Sequence, residues 1–358
     1  MAASGWRYYT TGEEAQAAML AACAGAERSI DLEQFIFDDD IIGRQFLTTL
    51  LRRAQSGVRV RVLCDAIGSD DLIDSAIVRE LGAAGIQFLF FNPIRRWWKH
   101  PFSEWFLRDH RKIVVVDAIV GFIGGVGIRD EMSSWRDTHA RVTGDTVAQL
   151  AESFECFWQM TERHRRFFSL PKPSPQSSGF YLLTNAPYPR QRFMYRELLL
   201  RIRSAARYVY LTTPYFVPNR PLLRAIRSAA RRGVEVRLLV PEHVNHRIVD
   251  IAGRSYYEGL LRAGVHVHQY RGDFLHAKGI IIDDAWATLG STNLDNLSML
   301  LNYEANIATK DRECVEELGR QFLVDLQQSI ELSYENWRHR PLFGQFLELL
   351  IMPIHRLL

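Results

Sequence analysis

Two short stretches carry residue types that can do chemistry together. HRKIVVVD at 110–117 sets a His two places before a Lys and seven before an Asp, and HAKGIIID at 276–283 repeats the set. A neutral imidazole near pH 7 is both a nucleophile and a proton acceptor, and a Lys beside it stabilises anionic oxygen. One such set is half of a phosphodiester-cleaving site. Two sets facing each other complete it: one His attacks phosphorus, the other protonates the leaving oxygen, and Lys112 and Lys278 hold the charge on the non-bridging oxygens. A given His has roughly a 1 in 300 chance of Lys at +2 and Asp at +7 in an average composition, so two matches point away from coincidence.

The β-branched residues after each His predict a strand, which puts His110 and Lys112, and likewise His276 and Lys278, on one face. Asp117 and Asp283 complete the motif. They lie an odd number of positions from the Lys, at the strand end, where the expected task of an Asp is to fix the following turn.

The elements that must position these residues recur as well. Fifteen residues after each His stand Gly125 and Ser291, and two further on Gly127 and Asn293. An acidic residue follows each His at 27 and 28 positions, Asp137 and Glu304. In the first half the pattern predicts a helix over 13–25, a strand over 29–37, a helix over 41–56 and a strand over 58–64. In the second, YVYLTTPYF, LLRAIRSAARRG and VEVRLLV repeat strand, helix and strand. SLPKPSPQSSG at 169–179 reads as a linker. The expected organisation is an N-terminal lobe over 1–168, a C-terminal lobe over 180–340 and a tail over 341–358. The fold class is α/β, with two homologous lobes, each a β-sheet flanked by helices, and one active site at their pseudo-two-fold interface.

Composition bounds the function without choosing it. With 47% hydrophobic and 24% charged residues the 358-residue chain is a folded protein, and its net charge of +3 favours anionic partners only mildly. Cys23, Cys64, Cys156 and Cys314 are scattered without metal-ligand spacing, which predicts buried reduced thiols. The N-terminus lacks the pattern of a signal peptide and no apolar run is long enough for a membrane span, so any membrane contact is expected to be peripheral.

At this point the sequence resembles the phospholipase D superfamily, whose signature is the doubled HxKxxxxD. The likeness runs from about residue 10 to residue 340. FNP, RDHRKIVVVD, FIGG and WRDTHARVTG in the first half, and LHAKGIIIDD, GSTNLDNLS and NYEAN in the second, are most similar to the cardiolipin synthases. The resemblance implies phosphatidyl transfer through a phosphohistidine, with His110 as nucleophile and His276 as acid. It implies that Asp137 and Glu304 orient the two His, that Asn293 supports the phosphate site, and that no metal or other cofactor is needed. The implied partners are phospholipid substrates, phosphatidylglycerol first, on an anionic membrane surface at its cytoplasmic side. Nucleic acid is the disfavoured partner, and the sequence leaves the oligomeric state open. Hydrolysis of a phospholipid or other phosphodiester, and non-catalytic lipid binding, remain the alternatives. Gly127 departs from the family, which usually has Asn there; the expected consequence is one amide donor fewer at the phosphate.

Two segments bear on substrate choice. Trp97, Trp98, Trp105 and Phe106 beside Arg95, Arg96 and Lys99 suit a lipid interface, single-stranded nucleic acid, or plain packing of the loop. In the tail, Leu342, Phe346, Leu349 and Leu350 form one helical stripe preceded by Arg338 and Arg340. It is expected to lie on a membrane, with a helix packed on the domain as the alternative. His100, His139, His164, His243 and His246 lack a matching partner pattern and are expected to be ordinary core or surface residues.

Overall fold

Each predicted strand seed becomes part of one of two sheets built to the same plan. The computed structural model describes residues 5–93, 107–163, 170–173 and 179–351. In the first lobe the strands are β1 (Trp6–Thr11), β2 (Ser29–Gln34), β3 (Arg59–Asp65), β4 (Gln87–Phe91), β5 (Ile113–Val116), β6 (Val120–Gly124) and β7 (Arg136–Thr143), in the order β1-β7-β6-β5-β2-β3-β4. In the second they are β8 (Phe180–Asn185), β9 (Tyr208–Thr212), β10 (Phe216–Val217), β11 (Glu235–Pro241), β12 (His266–Tyr270), β13 (Gly279–Ile282), β14 (Trp286–Gly290), β15 (Leu294–Asp295), β16 (Glu304–Thr309) and β17 (Ser329–Glu331). Their main sheet runs β17-β12-β11-β9-β13-β14-β16-β8. Without the added edge strand β17, this is the first order again, strand for strand. Short β10 and β15 pair separately in parallel.

The helices form where apolar residues recur every three or four positions, several of them started by a side-chain cap. In the first lobe these are α1 (Gly12–Ala24), α2 (Ile41–Gln55), α3 (Ala76–Ala83) and α4 (Asp145–Glu162). In the second they are α5 (Phe193–Ser204), α6 (Arg220–Arg231), α7 (Arg247–Leu261), α8 (Arg312–Gln327), α9 (Tyr334–Arg338) and α10 (Leu342–Ile351). The Asp40 side chain caps α2 by accepting from Gly43 N, and Phe46, Leu47 and Leu50 form its buried stripe. Asn219 caps α6 in the same way, and Leu222, Ala225, Ile226 and Ala229 are buried.

Three main cores result. Residues of α1, α2 and α3 close over one face of the first sheet, including Ile30, Leu32, Val114 and Phe122. Residues of α5, α6 and α7 close over the second sheet in the same manner. The third core joins the lobes: Val115, Ile123, Val142 and Leu150 from the first pack with Leu182, Ile281, Leu289 and Phe322 from the second. Burial of that shared apolar surface, at roughly 25 cal/mol per Å², holds the two halves as one body.

The structure shortens two predicted strands. The strand expected over 29–37 ends at Gln34, and YVYLTTPYF breaks after Thr212 before resuming at Phe216. His110 and His276 precede their strands. The segment holding His110 pairs with the opposite lobe, where Asp109 bridges Tyr303 in parallel, His110 N donates to Tyr303 O and Tyr303 N donates to Arg108 O. The mirror stitch bridges Arg136 and Leu275, with His276 N donating to Arg136 O and Arg136 N to Phe274 O. All four cysteines are free thiols; Cys23, Cys64 and Cys314 are buried and Cys156 is half-buried. Most of the expected linker and the Trp97, Trp98, Trp105 and Phe106 segment lie outside the described residues.

Candidate active site

The crossed stitches bring each His under a carboxylate of the other lobe. His110 Nδ1 is 3.1 Å from both Oε1 and Oε2 of Glu304, which opens β16. His276 Nδ1 is 2.6 Å from Oδ2 of Asp137, on β7. With Nδ1–H donated to a carboxylate, Nε2 of each ring carries the lone pair that can act on phosphorus or a proton. Glu304 also accepts from Ser291 Oγ, and Asp137 Oδ1 accepts from Thr138 N at 2.7 Å. These carboxylates are buried and fixed on both sides.

The lysines are tethered by backbone. Lys112 Nζ donates to His110 O at 2.7 Å, and Lys278 Nζ donates to His276 O. Lys278 Nζ also lies 2.9 Å from His276 Nδ1. Since the ring nitrogen is closer to Asp137, its hydrogen goes to the carboxylate and the lysine hydrogens go elsewhere.

Burial dominates the electrostatics. It lowers Lys112 to about 8 and Lys278 to about 7, against the pull of Glu304 and Asp137. Burial also lowers His110, and burial together with Lys278 takes His276 down to about 3, so both rings are neutral before substrate arrives. Burial pushes Asp137 upward, but Lys278 and His276 outweigh it and hold the carboxyl below its usual value. A phosphodiester anion supplies the negative charge this site lacks, and its arrival favours the protonated forms of the lysines and of the acid.

The segment around His110 is clamped by charges that sequence reasoning passed over. The buried Arg111 donates to Glu33 and, at 2.8 Å, to Ser153 Oγ of α4. Arg108 donates to Asp65 Oδ1 at 3.2 Å, and Asp65 Oδ2 accepts from Asp109 N at 2.8 Å. Burial and the neighbouring Glu33 carboxyl push Asp109 well above the carboxylate range. The RDHR flanks of the motif were the available signal.

Asp117 and Asp283, grouped with the catalytic set by sequence, sit at the opposite ends of β5 and β13 from the His. Asp117 Oδ1 accepts from Arg28 N and Ser29 N, and Oδ2 from Glu27 N. Asp283 does the same for Ala206, Arg207 and Tyr208. Both take positive φ, 55° and 56°, which Asp tolerates in turns. They pin the hairpin to the preceding loop and are structural.

Two glycines beside the first-lobe half of the site stand where the chain is crowded. A side chain at Gly125 would collide with the Asp137 carboxylate, whereas its counterpart Ser291 serves Glu304. Gly127 has Ile36 O 3.2 Å and Met132 Sδ 3.1 Å from where a Cβ would stand. The expected loss of a phosphate donor is thereby corrected: position 127 faces protein, and its carbonyl accepts from Gln16 Nε2 at 3.0 Å. Asn293 is buried, and Oδ1 has no partner among the described residues.

His139 is a core residue, one of the two placements expected of it, and it lies close enough to the site for Asp137 and Lys112 to act on it. Its pKa falls to about 4 through burial, and neither ring nitrogen has a partner among the described residues. His243 and His246 are exposed as expected, and His100 and His164 lie outside the described residues. Aromatic rings wall the two His unequally: Phe35 lies 4.8 Å from His110, while Trp135, Phe274 and Tyr215 lie 4.9, 6.1 and 6.5 Å from His276. Among the described residues no group of three His, Cys, Asp or Glu is placed to hold a metal.

Paired HxK motifs on duplicated sheets, each His held by an acid of the other half, define a phospholipase D-like catalytic centre. A family profile described as cardiolipin synthase, PLD-like domain, matches residues 19–158 and 198–326. The chain belongs to that family. It is 36% identical over 346 residues to a cardiolipin synthase of Geobacillus kaustophilus (strain HTA426), covering 93% of this chain and 68% of that one. It is 37% identical to a cardiolipin synthase A of Pseudomonas entomophila (strain L48), covering 96% and 73%. The fold is similar to that of a phosphatidylserine synthase of Haemophilus influenzae Rd KW20, with a TM-score of 0.77, 15% identity and coverage of 98% and 93%.

Proposed function

We propose that the chain is a phosphatidyltransferase that makes cardiolipin. Nε2 of His110 attacks the phosphorus of phosphatidylglycerol, a P–N bond forms, and the P–O bond to glycerol breaks as His276 gives that oxygen a proton. His276 then takes the proton from the glycerol hydroxyl of a second phosphatidylglycerol, whose oxygen displaces His110. Lys112 and Lys278 hold the non-bridging oxygens throughout. The observation that carries this reading is the crossed pairing of His110 with Glu304 and His276 with Asp137, which orients two imidazoles at one interface, His110 neutral for attack and His276 taking up its second proton as the phosphodiester anion binds. Similarity to cardiolipin synthases supports phosphatidylglycerol as donor and acceptor.

Among the described residues no helix is long and apolar enough to cross a membrane. The reading includes peripheral contact with an anionic, cytoplasm-facing surface, and the apolar face of α10 supports the contact itself. The helix packs against α7, and Arg340 Nη2 lies 2.6 Å from a buried Glu348 carboxylate, so that charge faces inward. Phe346 and Leu350 face outward, 56% and 59% exposed. This arrangement joins both expectations for the tail: it is packed on the domain and still offers an apolar face.

The test is mass spectrometry of products from phosphatidylglycerol vesicles. Cardiolipin with free glycerol supports the reading; phosphatidic acid alone makes the protein a hydrolase, and no product refutes both.

A further inference from the structure

The strand registers set each catalytic lysine in a transverse row. Glu33 pairs with Ile113, Ile113 with Ile123, and Gly124 with His139. One step along, the row therefore reads Gln34, Lys112, Gly124, His139, on the helix-covered face of the first sheet. The second sheet repeats it as Thr213, Lys278, Gly290, Asn306. Neighbours in such a row have Cβ atoms roughly 5 Å apart.

Both the backbone and a side chain of the next strand crowd the glycine in each row: Thr138 O lies 2.4 Å from a Cβ at Gly124, and Ala305 O 2.4 Å from one at Gly290. A Cβ at Gly124 would stand 2.5 Å from His139 Nδ1, and one at Gly290 would stand 2.5 Å from Asn306 Cγ. His139 and Asn306 thus lie across the glycine, on the lysine's side.

From there the lobes differ. Asn306 Oδ1 is taken by Thr292 N and Oγ1, and Asn306 Nδ2 lies 3.4 Å from Thr288 Oγ1. Thr213 Oγ1 donates to Tyr215 O and accepts from Leu294 N. In the first lobe, His139 and Gln34 are fully buried, and among the described residues neither has a partner for any side-chain nitrogen or oxygen. Lys112, between them, has one hydrogen bond where Lys278 has a second close nitrogen. Burying an imidazole and an amide unpaired is costly, which argues for a use of their polar atoms.

We infer that His139 and Gln34 are positioning residues for Lys112. Directly or through one bridging water, they accept an ammonium hydrogen that His110 O does not take, and leave the third hydrogen for the substrate phosphate. Hydrogen bonds to the charged form favour it, so the pair keeps Lys112 protonated in a buried place. The inference rests on the reading of the site as a phosphate centre.

Inorganic phosphate is the probe, its binding followed by calorimetry against pH so that no assumption about the acceptor lipid enters. The groups acting on Lys112 are Glu304, Asp137, Asp109 and Asp65, which favour its charge, and Lys278, which opposes it. His139→Leu is expected to weaken phosphate binding about tenfold and to move its upper pH limit down by about one unit. His139→Asn, which restores the second lobe's residue type, is expected to stay within about twofold of the unmodified protein. Gln34→Leu should change binding in the same direction as His139→Leu and carries the test if His139→Leu fails to fold. An unchanged pH limit in the leucine variants overturns the inference, as does a His139→Asn variant as impaired as His139→Leu. If the unmodified protein binds no phosphate at all, the phosphate-centre reading falls first, whereas cardiolipin synthesis with unaltered leucine variants removes the inference alone.

Discussion

His276 Nδ1 and Asp137 Oδ2 lie 2.6 Å apart although 139 residues and a lobe boundary separate them. The second such pair, His110 and Glu304, spans 194 residues in the same crossed sense. Orientation of each imidazole is thus a property of the assembled halves.

The crossing predicts different defects for the two acids. Asp137→Asn disables the ring proposed as acid and base, so turnover should fall by roughly 10²–10⁴-fold while a phosphorylated His110 builds up. Glu304→Gln should slow formation of that adduct instead. Rapid quench with phosphohistidine detection reads both; adduct on His276 would reverse the assignment.

Burial sets the pH range. Lys112 at about 8 and Lys278 at about 7 lose their protons as pH rises, and with them the charge that holds the phosphate. We expect kcat/KM, which reports the free enzyme, to fall above about pH 7 to 8, and the corresponding limb of kcat to lie higher, because bound phosphate stabilises the ammonium forms. Coincident limbs would contradict this.

Gly125→Ser would make the first lobe resemble the second, yet it should inactivate. The new Cβ would collide with the Asp137 carboxylate and push it off His276. A loss of at least about 10²-fold is expected, with a near-normal melting curve for Gly127→Ala as the contrasting variant nearby.

Asp117→Ala should destabilise without touching chemistry. It removes three backbone hydrogen bonds to a carboxylate at the far end of β5, a loss of about 1–3 kcal/mol. Denaturant unfolding should show the loss while kcat of the folded protein is retained; a fall in kcat at unchanged stability would return Asp117 to the catalytic set.

The outward face of α10 is tested by Phe346→Asp with Leu350→Asp. Both side chains are exposed, so the fold should persist. Sedimentation with phosphatidylglycerol vesicles should weaken, and cleavage of a short-chain soluble phosphodiester should not. Deleting 341–358 is the harsher version, since it also removes Glu348 from its ion pair with Arg340.

The duplication, both HxK sets and the acidic residues at matching offsets were legible because each leaves a fixed spacing in the chain. The crossing was not. Alignment of two halves shows that Asp137 and Glu304 are equivalent, but equivalence is silent about which half a side chain reaches into. The placement of His110 and His276 ahead of their strands was missed for the same reason, since Asp109 and Leu275 pair with the other lobe. His139 has no repeated partner pattern in the chain, so sequence alone places it no more finely than core or surface. The strand registers add the rest: Asp137 and His139 match Glu304 and Asn306, two pairs at i and i+2, opposite Gly124 and Gly290.

The bridges Asp109 to Tyr303 and Arg136 to Leu275 carry a consequence for synthesis on the ribosome. When residue 163 has emerged, the first half holds His110 and Lys112 with no Glu304 to receive the imidazole, and Asp137 with no His276. Until the second half is made, the apolar residues of the shared core, Val115, Ile123, Val142 and Leu150, have no partners from the other lobe, so the first half reaches its finished packing only after synthesis has passed Phe322.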